Sequence, residues 1–159
     1  MHLEMTLLDA AAQSNRWVQK PFGITDGFNP TWWVGSAKGP AVWCSVADVA
    51  LGEVARAQVK PRSFVGAAYP TRPLPAGGAT EIDLLEVREH LRRSGLGIGR
   101  DVVAMIEEAF PGPYVALSLD ATSDGFWRRL GWSEHDHGDA ADARADGAKL
   151  AAVLFESPE

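Results

Sequence analysis

The chain has one cysteine, no basic excess and no apolar run near the roughly 20 residues of a membrane-spanning helix. A lone cysteine closes no internal disulfide, and Cys44 lies in the apolar run 41–46, so it is expected to be a core thiol with no activating partner. The N-terminal MHLEMTLLDAAAQ carries acids and lacks the basic start and long apolar core of a secretory leader; the expectation is a cytoplasmic protein with no membrane partner. Basic residues number 15 against 21 acidic ones, a net charge of -6 with no extended basic stripe, which argues against nucleic acid as a partner even though tryptophans could stack on bases. His135, Asp136 and His137 alternate as ligands on opposite faces of a strand would, and no second pair follows at a ligand spacing. They are read as a solvated loop, and no metal is expected.

What is present fits one soluble domain over 1–159, with 46% apolar and 23% charged residues and no internal repeat. Leu3, Leu7, Leu8, Ala11 and Ala12 have helical spacing, which predicts an amphipathic helix over 3–18. The stretch 22–40 is rich in glycine and proline around Trp32 and Trp33, whose rings either line a pocket for a cationic amine or cover a sheet. Runs 41–47 and 53–59 flank Ala50-Leu51-Gly52 as a hairpin. The segment 61–80 is a long proline-rich connection in which 64–69 can add a strand, 114–119 is a further strand, 135–149 reads as a loop, and 150–155 is a final strand.

The stretch 81–109, EIDLLEVREHLRRSGLGIGRDVVAMIEEA, organises the rest. Ile82, Leu84, Leu85 and Val87 make a buried strand with one irregular step between Leu84 and Leu85. From Gly99 the spacing becomes that of an amphipathic helix, through Val102, Val103, Ile106 and Phe110. The intervening turn has glycine at 95, 97 and 99, so backbone N–H groups can converge at a helix start whose dipole favours anions. Arg88, Arg92, Arg93 and Arg100 crowd this one segment of an acidic chain, which suits a bound phosphate; a tight turn with solvated arginines is the bland alternative.

A strand, then R/Q-x-x-G-x-G/A, then a helix resembles the cofactor motif of the GNAT superfamily of acetyl-CoA-dependent N-acyltransferases, with Gly97-Ile98-Gly99-Arg100 similar to its G-I-G-R stretch. Counted from the strand, Arg92 takes the Arg/Gln position and Gly95 and Gly97 the glycines. Counted back from the helix, which is the register favoured here, the glycines are Gly97 and Gly99, Ser94 falls at the arginine position, the turn is two residues longer, and Arg92 or Arg93 reaches the phosphates. Ser123-Asp-Gly-Phe-Trp-Arg-Arg-Leu-Gly-Trp132 is similar to the family's A-x-x-F-Y-x-x-L-G-F helix, with Ser123 as N-cap and Gly131 as stop.

The resemblance implies an α/β (α+β) fold, a central mixed, mostly antiparallel twisted sheet flanked by helices. It also implies acetyl transfer from acetyl-CoA to an amine of a small molecule or protein through a tetrahedral intermediate, with a homodimer allowed. On that reading Leu85, Glu86 and Val87 receive the pantetheine arm, and Arg92, Arg93, Ser94, Gly95, Leu96, Gly97, Ile98, Gly99 and Arg100 cradle the phosphates. Val87 N–H is the oxyanion donor, Glu81 the first and Asp83 the second choice of base. Trp127 stands where the family has a tyrosine that protonates the leaving thiolate, and Asp120 where it often has an asparagine; an indole has no ionisable hydroxyl, so a binding protein with little turnover is the alternative.

Overall fold

The computed structural model describes residues 1–8, 21–31, 41–118, 121–137 and 153–159. Strands β1 (Leu3–Leu8), β2 (Val42–Asp48), β3 (Gly52–Ser63) and β4 (Ala79–Val87), helix α1 (Ile98–Ala109), β5 (Tyr114–Ser118), α2 (Ala121–Arg129), β6 (Ser133–His135) and β7 (Val153–Glu156) follow in chain order. The seven strands form one mixed sheet in the order β1-β2-β3-β4-β5-β7-β6. Contacts divide the chain into two compact units, Met1–Lys60 with Asp83–Ala109, and Pro61–Ile82 with Phe110–Glu159.

In the first unit β1, β2 and β3 pair antiparallel, with Leu3 opposite Asp48, Leu8 opposite Trp43 and Cys44 opposite Ala57. The Asp48 carboxylate makes the β2–β3 turn, accepting the N–H groups of Ala50 at 2.9 Å and Leu51 at 3.2 Å. The predicted hairpin is therefore present. Cys44 is fully buried, and burial pushes its thiol up to about 12, as a core cysteine requires. The helix expected over 3–18 is overturned where it can be seen: Leu3–Leu8 is a strand. Leu3, Leu7 and Leu8 satisfy a helical spacing, but Leu3 and Met5 also alternate with Glu4 and Thr6, and pairing with β2 decides between the two. The remainder of that prediction, and Trp32 and Trp33, lie outside the described residues. Helix α1 buries Ile98, Val102, Val103 and Ile106 and exposes Arg100, Ala104 and Glu108, the amphipathic pattern read from the sequence.

In the second unit Thr80–Ile82 of β4 runs parallel to Tyr114–Ala116 of β5, and β7 lies antiparallel to both β5 and β6. Ala79, Val115 and Leu154 form a core that Val65, Tyr69, Leu74 and Leu117 cover. The strand expected at 64–69 is instead a 3₁₀ turn, Val65–Ala68, closed by Ala67 N–H to Phe64 O at 2.9 Å and Tyr69 N–H to Gly66 O at 3.0 Å. Small residues and the Ser63 hydroxyl, which accepts Val65 N–H, favour the turn over an extended run. Helix α2 starts at Ala121, so Ser123 lies inside it rather than capping it. It ends as predicted: Gly131 N–H bonds Arg128 O and Trp132 N–H bonds Trp127 O, the paired bonds of a Schellman stop. His135 is not in a solvated loop but in β6, with Nε2 at 3.0 Å from the Glu156 carboxylate, and the His137 ring packs edge-on to Tyr69. Among the described residues no helix is long and apolar enough to cross a membrane.

Candidate functional site

The candidate site is the turn from β4 into α1, which lies within the first unit. Arg88 N–H bonds Val54 O of β3 at 2.9 Å. Because the peptide joining Val87 to Arg88 is trans and planar, Val87 C=O points the opposite way, and Val87 N–H shares that direction in an extended residue. Both polar groups of Val87 therefore face away from β3. The chain then makes a 3₁₀ turn, Glu89–Leu91, that buries Leu91, and Ser94 Oγ donates to Leu91 O at 2.7 Å to fold the next residues back.

Positive φ at Arg93 (59°), Gly95 (79°) and Gly97 (71°) carries the backbone into α1. Helix α1 begins at Ile98, so Gly97-Ile98-Gly99 is the helix start, and Gly99 lies within the helix. The first intrahelical bond is Asp101 N–H to Gly97 O at 3.1 Å, which leaves the N–H groups of Ile98, Gly99 and Arg100 without an intrahelical acceptor. Gly97 has no side chain to cap them. A Cβ there would lie 3.1 Å from the Arg100 guanidinium and crowd the mouth of the turn, whereas Gly95 opens on empty space. N–H donors without an intrahelical acceptor, a helix dipole and four arginines are the donor set that a pyrophosphate needs, so the residues present fit a phosphate-bearing cofactor.

Three of these arginines already have partners. Arg92 donates through Nε to Val87 O at 2.6 Å and through Nη2 to Glu86 Oε1 at 2.9 Å. Arg88 Nε reaches Asp26 O at 3.0 Å, and Arg100 pairs with the adjacent Asp101. The segment before β2 is tied to the same turn, since Glu89 N–H bonds Gly27 O at 2.8 Å and Asn29 N–H bonds Glu86 Oε1 at 2.9 Å. Below it Arg56, fully buried, is held by Glu53, Gly23 O and Thr25 Oγ1 and sandwiched against the rings of Phe22 and Phe28.

Of the predicted site residues, Leu85 to Val87 and 92–100 are brought together around this turn. Asp83 is in an ion pair with Lys60 Nζ at 2.8 Å. Glu81 and Trp127 belong to the second unit: Glu81 is buried and accepts from Ser63 Oγ at 2.5 Å, while Trp127 is buried against Phe126 and Trp132. Asp120 lies outside the described residues. Sequence reading placed Glu86 in the site as part of the strand that receives the cofactor arm, but not the contact of its side chain with Asn29 N–H, which no local signal marks because Asn29 lies 57 residues earlier.

No family model matches the chain, and no curated protein does. Solved structures match: an acetyltransferase from Thermus thermophilus, 14% identical, with TM-score 0.51 over 75% of this chain and 64% of that one. Another, described as a histone acetyltransferase and related acetyltransferase from Corynebacterium glutamicum, is 17% identical with TM-score 0.44, covering 75% of this chain and 65% of that one. The chain thus spans less than two thirds of either solved protein's length. A mixed seven-stranded sheet whose fourth strand enters a glycine-rich turn and a helix is alike in fold to the first of these, a GNAT-like α/β arrangement.

Proposed function

We propose that the protein transfers an acyl group, acetyl in the simplest case, from acetyl-CoA to a primary amine. The observation that carries this is the uncapped start of α1 behind two positive-φ glycines, set in a GNAT-type fold. When bound, acetyl-CoA supplies an activated thioester carbonyl. Ile98, Gly99 and Arg100 offer N–H groups, and Arg92 or Arg93 a guanidinium, to its phosphates. Leu85 to Val87 offer strand-edge hydrogen bonds to an extended arm, and Val87 N–H offers a donor to charge developing on a carbonyl oxygen.

A proton must leave the attacking amine. Along β4, six residues separate Glu81 from Val87, roughly 20 Å at the rise of a strand, and four separate Asp83, roughly 13 Å. Asp83 is the nearer of the two carboxylates along the strand, but Lys60 holds it as Ser63 holds Glu81, so either one takes the amine proton only through a chain of waters. No acid is needed at Trp127, because a thiolate leaves with a conjugate pKa near 8.5. The packing of Trp127 among aromatic rings does favour a second reading, an acyl-CoA-binding protein with little turnover.

Calorimetric titration with acetyl-CoA, and separately with NAD and ATP, tests the cofactor. Selective acetyl-CoA binding that weakens at least tenfold in Gly97→Val is expected, since an L-residue at φ 71° is strained and its side chain fills the turn. Thiol release in the presence of an amine panel then separates the two readings. Absence of acetyl-CoA binding overturns both.

A further inference from the structure

We infer that the Glu86 carboxylate is the docking group for the cationic amine of the acceptor and that Arg92 covers it until the cofactor arrives. The inference rests on the acyl-transfer reading above and names the recognition residue for its second substrate.

Glu86 directly precedes Val87, the residue whose peptide groups face away from β3, and its side chain is 14% exposed. Its two oxygens are unequally served. Oε1 accepts Asn29 N–H and Arg92 Nη2, both at 2.9 Å. Oε2 is buried and has no donor. A buried carboxylate oxygen without a donor is costly, and more so for a charged group than for a neutral one. A primary ammonium brings three N–H donors and the opposite charge, which is the chemistry that this oxygen lacks.

Arg92 makes the site switchable. It is about half exposed, sits on the turn proposed to hold phosphates, and in the free protein spends its guanidinium on Glu86 Oε1 and Val87 O. A pyrophosphate at the start of α1 is a stronger attractor for that guanidinium than one carboxylate and one carbonyl. When Arg92 turns toward it, Glu86 loses its counter-charge and Val87 C=O loses its donor together. The carboxylate is then open to the amine, and the strand edge to an extended arm. Arg92 and the amine thus compete for Glu86, and cofactor binding strengthens amine binding. The reciprocal effect must hold as well.

The test is calorimetric titration of 1,4-diaminobutane into wild type, Glu86→Gln and Arg92→Gln, each with and without acetyl-CoA, with thermal unfolding as a check that the variants fold. Glutamine keeps an oxygen for Asn29 N–H while removing the charge. The expected results are at least tenfold weaker diamine binding in Glu86→Gln, several-fold tighter binding to free Arg92→Gln than to free wild type, and a gain on adding acetyl-CoA seen in wild type alone. A general structural role would weaken binding in both variants. Equal affinity in wild type and Glu86→Gln, weaker binding in Arg92→Gln, or no diamine binding in any state overturns the inference. If acetyl-CoA does not bind, the acyl-transfer reading fails by itself, and the diamine titrations without cofactor still decide whether Glu86 docks a cationic amine.

Discussion

Replacing Glu156 by glutamine removes one charge from a buried three-way contact in the second unit and keeps its shape. The carboxylate is 6% exposed and accepts Arg72 Nε at 2.9 Å, Arg72 N–H at 3.2 Å and His135 Nε2 at 3.0 Å, while Arg72 also donates to Ser157 O. These groups line an open cleft of about 570 Å³. Burial pushes the Glu156 carboxyl up, but the hydrogen bonds from Arg72 and then His135 outweigh it, so its pKa is lowered. Each hydrogen bond to a charged group contributes roughly 1.5–3 kcal/mol, and breaking a fully buried pair costs about 3–5 kcal/mol. Here Arg72 is 36% exposed and regains water, and glutamine still offers it an oxygen, so the expected loss is only about 2 kcal/mol at pH 7. For a chain of this size that lowers Tm by roughly 4–8 °C.

The sign of the pH dependence follows from the same contacts. A lowered folded pKa contributes stability that is present above the unfolded value, about 4.3, and is lost as pH falls through the folded pKa. Wild type should therefore converge on Glu156→Gln in acid. Urea denaturation of both proteins at pH 7 and in steps down to pH 3 checks this. A difference under about 0.5 kcal/mol at neutral pH, within the scatter of surface substitutions, or a gap that widens in acid, refutes the reasoning.

Two further stability predictions rest on single residues. Gln58 is fully buried on β3 with neither side-chain amide atom hydrogen-bonded, so Gln58→Leu should stabilise by about 1–2 kcal/mol, read as a higher urea midpoint; a lower midpoint would mean that the amide is satisfied. Gly78 has φ 78°, and a Cβ there would lie 2.6 Å from Ser63 O, so Gly78→Ala should cost about 3 kcal/mol, strain and backbone displacement together. Gly77, with nothing within 4 Å of its added Cβ, is the control: alanine there should stay within about 0.5 kcal/mol.

The sequence by itself determined the parts whose cause is local. The change from strand to helix across 81–109 rests on a change of apolar period and on glycines whose φ only they readily adopt, so β4, the turn and α1 were all legible. The same holds for the β2–β3 hairpin, the stop at Gly131 and the core position of Cys44. Where local signals tie, the tertiary structure decided. Leu3–Leu8 suits a helix or a strand until β2 supplies ladder hydrogen bonds, and Val65 enters a turn that packs on the core of Ala79, Val115 and Leu154 rather than an extended strand. His135 reads as solvent-exposed until Glu156, 21 residues on, is bonded to it, and Arg72 joins the same carboxylate from 84 residues away. The docking role inferred for Glu86 likewise depends on Asn29, 57 residues earlier in the chain. Periodicity and turn chemistry report on neighbours in sequence, whereas a buried charge is defined by the partners that the fold brings to it, and those are set only when distant strands and loops meet.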